Sequence, residues 1–138
     1  MDRRQEMQLI LCVDDGYGML FNNRRVSRDR AVIDKIKEMA AGKRLWIREF
    51  SKKLFGDDVT IDEDMLLKAE KDDLCFVEDA DISPALSETD VIYLFKWNRK
   101  YPSDVVFEKE NLASFHLETT EEFEGNSHEK ITLERWTR

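Results

Sequence analysis

Short apolar runs that stop at charged or glycine residues restrict the fold of this chain more than any other feature. Apart from a polar first residue in two of them, the runs QLILCV (8–13), RLWI (44–47) and LCFV (74–77) contain only apolar side chains. Strands buried on both faces have this pattern, whereas strands with one face in water alternate polar and apolar residues. We therefore predict central strands of a largely parallel sheet at these three places.

Stretches with helical spacing separate the runs. Ser27 or Asp29 can cap a helix that ends just before Gly42, because apolar residues recur every three to four positions between them. A short helix is expected to end at Gly56, and another to follow a cap at Asp62. Strands that alternate with helices indicate an α/β domain.

The C-terminal part of the chain predicts antiparallel pairing. A long apolar strand, VIYLFKWN (91–98), is followed by SFHLET and ITLERW, whose polar and apolar residues alternate. With five Gly and two Pro in 138 residues there is no stretch with the composition of a linker. The prediction is a single domain, 1–138, with a mixed, mostly parallel sheet and an antiparallel C-terminal hairpin.

The charge distribution restricts the partners. The net charge is −8, but residues 1–56 carry 13 Lys/Arg against 8 Asp/Glu, and the rest of the chain is strongly acidic. An acidic protein is a poor nucleic-acid binder. No apolar run approaches membrane-spanning length or that of a secretion signal, so we expect a cytoplasmic protein without a membrane partner. The acidic surface of 108–129 could instead contact a basic protein partner. Assembly of identical chains into a homo-oligomer is a further alternative.

Cysteine and histidine are too few and too scattered to predict a metal site. Cys12 and Cys75 both lie in apolar runs and are expected to be buried thiols. His116 and His128 have no ligand set nearby and are interpreted as structural. The zinc chemistry of ribonuclease Z needs a His-x-His-x-Asp-His cluster, which two isolated histidines cannot supply, so that activity is rejected.

An arginine cluster is the most unusual local chemistry. Arg24, Arg25, Arg28 and Arg30 fall within seven residues, just before the first predicted helix. Such a set could bind a small anion or a nucleotide phosphate through paired guanidinium contacts and free backbone N–H groups. The arginines could equally pair with the acidic C-terminal part of the chain or face water.

The order of elements, with residues such as VIYLFKWNRKYPSDVVF (91–107) and the final ITLERWTR, resembles dihydrofolate reductase. The resemblance implies a three-layer α/β sandwich with the mixed sheet described above. It also implies a first helix that starts with a carboxylate, which in that family holds the pteridine and assists protonation. Asp29 falls close to this position and is the candidate catalytic residue, although an Asp in a first helical turn is also an ordinary cap.

The cofactor position departs from the family. Where those enzymes use Gly-Gly to let the backbone approach the NADPH diphosphate, this chain has Glu78-Asp79, with Asp81 close behind. Two unit charges about 5 Å apart repel by about 3 kcal/mol at an effective dielectric constant of about 20, so carboxylates here oppose a diphosphate. We therefore expect no cofactor, and we expect the three acids to cap a helix N-terminus instead.

These observations predict a shortened, divergent member of that fold. The preferred function is a non-catalytic binding or interaction module, with a small anionic ligand beside Asp29 and the arginine cluster. The alternative is an active reductase or nucleotide-modifying enzyme with an altered cofactor pocket.

Overall fold

A computed structural model describes residues 4–138 of the chain. Within them the strands are β1 (Met7–Val13), β2 (Gly18–Phe21), β3 (Arg24–Arg25), β4 (Leu45–Ile47), β5 (Thr60–Ile61), β6 (Leu74–Phe76), β7 (Thr89–Lys96), β8 (Val105–Val106), β9 (His116–Phe123) and β10 (Ile131–Thr137). The α-helices are α1 (Arg30–Met39), α2 (Lys52–Phe55) and α3 (Met65–Lys68), with 3₁₀ helices at Glu49–Ser51, Ser83–Glu88 and Lys109–Leu112.

Seven strands form the main sheet in the order β5-β4-β6-β1-β7-β10-β9. β1 pairs in parallel with both β6 and β7, and β4 pairs in parallel with β5 and β6. β10 runs antiparallel to β7 and to β9, which makes the C-terminal hairpin. The mixed, mostly parallel sheet with its antiparallel hairpin is confirmed.

The central strand is buried on both sides, as its apolar run predicts. Leu9 and Leu11 of β1 point into one apolar cluster, and Ile10 points into a second cluster on the opposite face. Helix α1 covers the second cluster with Val32 and Ile36, while α3 and the 3₁₀ helix at Ser83–Glu88 cover the first. The result is three layers, with helices on each face of the sheet.

The helices differ in extent from the predicted ones. Asp29, one of the two residues predicted as the cap, is the N-cap of α1, but the helix ends at Met39, and Gly42 follows with a positive φ of 79°. The element expected before Gly56 begins as a 3₁₀ turn and becomes α-helical only at α2. Short helices lose much of their backbone bonding at their ends, so tertiary packing decides their type.

A second, smaller sheet has the order β3-β2-β8. The hairpin between β2 and β3 turns at Asn22 and Asn23, which have φ values of 50° and 61°. Asparagine tolerates this left-handed conformation better than most residues do, and tight hairpin turns require it. This sheet carries Arg24 and Arg25 to the carboxyl ends of the main strands, the edge where α/β sheets hold their ligands.

Candidate functional site

The segment after β6 borders an open cleft. The cleft has a volume of about 790 Å³, and its floor is apolar, with Leu11, Met19 and Phe107 among its lining residues. Its carboxylates are Glu78, Asp79, Asp81 and Glu108, and no Lys or Arg among residues 4–138 lines it. The cleft is open although Glu78 and Asp79 line it, so these side chains do not close it.

Glu78 is held away from solvent by Arg25. The guanidinium Nε and Nη2 donate to the two carboxylate oxygens at 2.8 and 3.0 Å, and the Ser51 hydroxyl donates to Oε1 at 2.7 Å. The same guanidinium donates to the Phe50 carbonyl and lies over the Phe50 ring at 5.0 Å. The hydrogen bond from Arg25 to Glu78 raises the pKa of the arginine, as expected for a bidentate guanidinium–carboxylate pair.

The other two acids have separate roles. The Asp81 carboxylate accepts from the backbone N–H and hydroxyl of Ser83, at the start of the 3₁₀ helix, and these bonds lower the pKa of Asp81. Asp79 lies beside Arg48, whose Nη1 is 3.7 Å from Oδ1 and donates to the Asp79 carbonyl at 3.2 Å. The predicted helix-capping role is thus correct for Asp81 only, because Glu78 turns to Arg25 and Asp79 to Arg48.

Asp29 is buried and saturated with hydrogen bonds. Its Oδ1 accepts from the backbone N–H groups of Ala31 and Asn126, each at 2.8 Å. Its Oδ2 accepts from the backbone N–H groups of Ser127 and His128, from the Ser127 hydroxyl and from the His128 ring. The carboxylate therefore joins the start of α1 to the loop between β9 and β10.

This environment sets the charge of Asp29. Burial by itself would raise the pKa, but the bonds from Asn126, His128, Ser127 and Ala31 outweigh it and lower the pKa well below the ordinary range. Asp29 therefore lacks the raised pKa that an acid in apolar surroundings would have without hydrogen-bond donors. The cavity beside Asp29, between Cys12, Phe76 and other side chains, holds only about 10 Å³.

His128 is the residue that the sequence interpretation missed. Its ring is buried, and Nδ1 lies 2.9 Å from Asp29 Oδ2. On the other side of the ring, Nε2 lies 3.0 Å from the Ser27 hydroxyl and 2.9 Å from the Tyr101 hydroxyl. The indole of Trp97 stacks on the imidazole at 4.9 Å. The four residues that surround the ring are far from His128 in sequence. The local sequence, GNSH (125–128), indicates only a turn.

The arginine cluster is divided by the fold. Arg25 is engaged by Glu78, whereas Arg24, Arg28 and Arg30 form no ion pair with a carboxylate within residues 4–138. Arg24 and Arg28 line a shallow groove of about 560 Å³, and Arg28 and Arg30 line a neighbouring one of about 620 Å³ with Lys37 and Lys53. We call these two adjoining surfaces the basic groove; Asp34 is the exposed carboxylate on it.

The cysteines are unreactive by environment. Burial raises the pKa of the Cys75 thiol to about 12, and burial with the nearby Glu78 charge raises that of Cys12 well above its ordinary value. Cys75 is fully buried as predicted, while Cys12 is half-buried.

Among the residues described, no three His, Cys, Asp or Glu side chains cluster as metal ligands would. None of the helices described is long and apolar enough to cross a membrane.

Comparison with solved structures places the fold. Dihydrofolate reductase from Enterococcus faecalis, solved with NADP(H) and RAB-propyl, superimposes with a TM-score of 0.72 over 98% of this chain and 97% of the other, at 11% identity. The chain has a dihydrofolate reductase-like fold. No protein-family model and no curated protein sequence matches it.

Proposed function

We propose that this domain, with its dihydrofolate reductase-like fold, is a ligand-binding module that has lost the NADPH-dependent reductase reaction. The observation that carries the proposal is the charge of the 790 Å³ cleft, which has four carboxylates and no basic residue in its lining. Of these, Glu78 is neutralised by Arg25, but Asp81 and Glu108 have no cationic partner within residues 4–138. A diphosphate in this cleft would meet like charge at its rim.

The neighbourhood of Asp29 supports the same conclusion. In the reductases the corresponding carboxylate holds the pteridine, which requires an open pocket and free acceptor positions. Here both oxygens of the Asp29 carboxylate already accept hydrogen bonds from the protein. The enclosed cavity beside it, of about 10 Å³, is hardly enough for one water molecule. A bicyclic substrate does not fit in that cavity, and in the groove of about 620 Å³ that Asp29 also borders, the carboxylate has no exposed surface to offer a ligand.

The open cleft itself favours a different ligand. An apolar floor beneath a rim of carboxylates suits a neutral or cationic organic molecule, whose apolar body is buried while its charge faces the acids. We propose this class as the occupant of the cleft.

NADPH titration tests the loss of the cofactor site. Calorimetry with NADPH is expected to give no binding tighter than about 1 mM. Replacing Asp81 by Asn and Glu108 by Gln together should raise the affinity for NADPH at least about tenfold, because the two carboxylates of the cleft without a cationic partner in the described residues lose their charge. The exposed pair Asp57→Asn/Asp58→Asn changes the net charge equally and should leave affinity unchanged.

Micromolar NADPH binding by the native protein would contradict the proposal, and dihydrofolate reduction in the same sample would establish the alternative, an active reductase. Equal gains in affinity in both double variants would mean that net charge, and not the cleft, excludes NADPH.

An anion site in the basic groove is the second candidate function. Arg28 and Arg30 lie at the start of α1 without carboxylate partners in the described residues, next to Lys37 and Lys53. Guanidinium groups beside a helix N-terminus suit phosphate or carboxylate groups. This candidate retains three of the four arginines predicted from the sequence, since Arg25 is already paired.

Pyrophosphate is a direct probe of the basic groove. Its binding, followed by calorimetry at low salt, should weaken about tenfold or more in Arg28→Gln/Arg30→Gln and fall steeply with added salt. Arg44→Gln, an exposed arginine away from the groove, is the matched control. Unchanged affinity in the double variant would remove the groove as an anion site.

Several acids of the surface 108–129 already form ion pairs within the protein. Of its acids, Glu118, Glu121 and Glu122 are each paired, with Arg135, Lys35 and Lys130 respectively. A basic protein partner on this surface therefore remains a proposal without a favouring contact.

A further inference from the structure

Three side chains outside the cleft have the arrangement of a nucleophilic relay. The Ser27 Oγ lies 3.0 Å from His128 Nε2, and His128 Nδ1 lies 2.9 Å from Asp29 Oδ2. A hydroxyl, an imidazole and a buried carboxylate in this order, at these distances, form the constellation that activates serine in acyl transfer on unrelated folds.

The hydrogen-bond partners decide the tautomer of His128. Asp29 is ionised and can only accept, so Nδ1 carries the proton that points to it. In the neutral ring Nε2 is then the acceptor, and its lone pair faces the hydroxyls of Ser27 and Tyr101, which lie 3.2 Å from each other. This is the form in which a histidine can take a proton from a serine.

The loop around His128 holds this geometry rigidly. The backbone N–H groups of Asn126, Ser127 and His128 all donate to Asp29, and Trp97 stacks on the imidazole. Gly125 makes the approach possible, because a Cβ there would lie 2.6 Å from the His128 carbonyl oxygen and 2.8 Å from Asp29 Oδ2.

The serine is reachable from outside. Ser27 lines the shallow part of the basic groove, together with Arg24 and Arg28, and is only half-buried. Within residues 4–138 the backbone N–H of Arg28 donates to no acceptor. It belongs to the residue directly after the serine, a usual source of a donor for a developing oxyanion.

We propose that Ser27, His128 and Asp29 form a hydrolytic site for carboxylic esters that carry a second, anionic group held by the basic groove. Ser27 Oγ bonds to the ester carbonyl carbon while its proton passes to His128 Nε2. The tetrahedral intermediate then collapses, the bond to the leaving oxygen breaks, and the leaving alcohol takes that proton from Nε2.

The second half of the cycle restores the protein. Water attacks the acyl carbon, again giving its proton to His128 Nε2, the bond to Ser27 Oγ breaks, and the serine recovers the proton. The products are the free acid and the alcohol, so no oxidant or metal is consumed. Ser27 and His128 are the catalytic residues, and Asp29 is a positioning residue.

A fluorophosphonate probe tests the relay without knowledge of the substrate. Such a probe phosphonylates an activated serine with loss of fluoride, and peptide mass spectrometry locates the adduct. We expect one adduct, on Ser27, with labelling at least about a hundredfold slower in His128→Gln and absent in Ser27→Ala. Ser114→Ala, which removes an exposed serine elsewhere, should label like the native protein.

The substrate class has its own readout. The monoanionic 4-nitrophenyl succinate should be hydrolysed at least about tenfold faster than the neutral 4-nitrophenyl butyrate, and Arg28→Gln should abolish the difference. No adduct, an adduct on Tyr101, or equal labelling of native protein and a folded His128→Gln would overturn the proposal. If His128→Gln does not fold, two results still test the proposal. They are the residue that carries the adduct in the native protein and the loss of labelling in Ser27→Ala. NADPH binding is independent of these results.

Discussion

Asp29→Asn is expected to lower the free energy of unfolding by about 4 kcal/mol, because several buried donors lose the carboxylate that accepts their hydrogen bonds. The carboxylate oxygens face four backbone N–H groups, the Ser127 hydroxyl and the His128 ring. An asparagine amide puts its NH₂ against some of these donors, which leaves them buried and unsatisfied. Chemical denaturation at neutral pH measures the loss, with Asp34→Asn, an exposed acid of α1, as the control.

The pH dependence identifies the ionised carboxylate as the cause. The pKa of Asp29 is lower in the folded protein than in the unfolded chain, where an aspartate has a pKa of about 3.9. Its stabilising contribution is therefore complete above pH 4 and is lost as the pH falls below that value toward the folded-state pKa. We expect the stability difference between native protein and Asp29→Asn to shrink below about pH 4.

A stability loss below about 1 kcal/mol in Asp29→Asn, or a difference that stays constant on acidification, would contradict this account. A neutral change would mean that the loop between β9 and β10 does not depend on Asp29.

Arg25→Met is expected to destabilise the protein by about 3 kcal/mol. The substitution keeps the apolar contact with Phe50 but leaves the Glu78 carboxylate, whose side chain is 10% exposed, with only the Ser51 hydroxyl. An unpaired charge at this burial costs more than the pair contributed, because the carboxylate has lost both water and its partner.

A double-mutant cycle separates the pair from its surroundings. Glu78→Gln in the Arg25→Met background should recover most of the stability, with a coupling energy of about 2 kcal/mol. Arg24→Met, which replaces the neighbouring exposed arginine, should change stability by less than about 0.5 kcal/mol. Additive losses in the double variant would show that Arg25 acts through its hydrogen bond to the Phe50 carbonyl and its charge over the Phe50 ring, and not through Glu78.

The fold was largely predictable because the relevant signals are local. The continuous apolar run of β1 predicted burial on both faces, and the alternation in β10 predicted an antiparallel partner. Asp29 was recognisable as a helix cap from its place before the first apolar position of α1. The short 3₁₀ segments were not predictable, because packing and not propensity decides their type.

The candidate site was predictable only in part. Charge at the end of β6 could be read from Glu78-Asp79, but the pairing of Glu78 with Arg25 joins residues 53 positions apart. His128 lies 99 residues from Asp29, and its loop sequence carries no signal for a buried imidazole. Glu78 and Asp29 both accept hydrogen bonds from residues far away in the sequence. Their roles could therefore not be predicted from neighbouring residues.

The residues alone determined the central strands, the C-terminal hairpin and the start of α1, and that acids directly follow β6. Those features depend on hydrophobic periodicity and on side-chain type, which neighbouring residues specify. Only the tertiary structure decided which charges are neutralised, that the cleft stays open, and that Ser27, Asp29 and His128 meet. Hydrogen bonds and ion pairs act over about 3 Å, so their partners are fixed by how the sheet brings remote loops together at one edge.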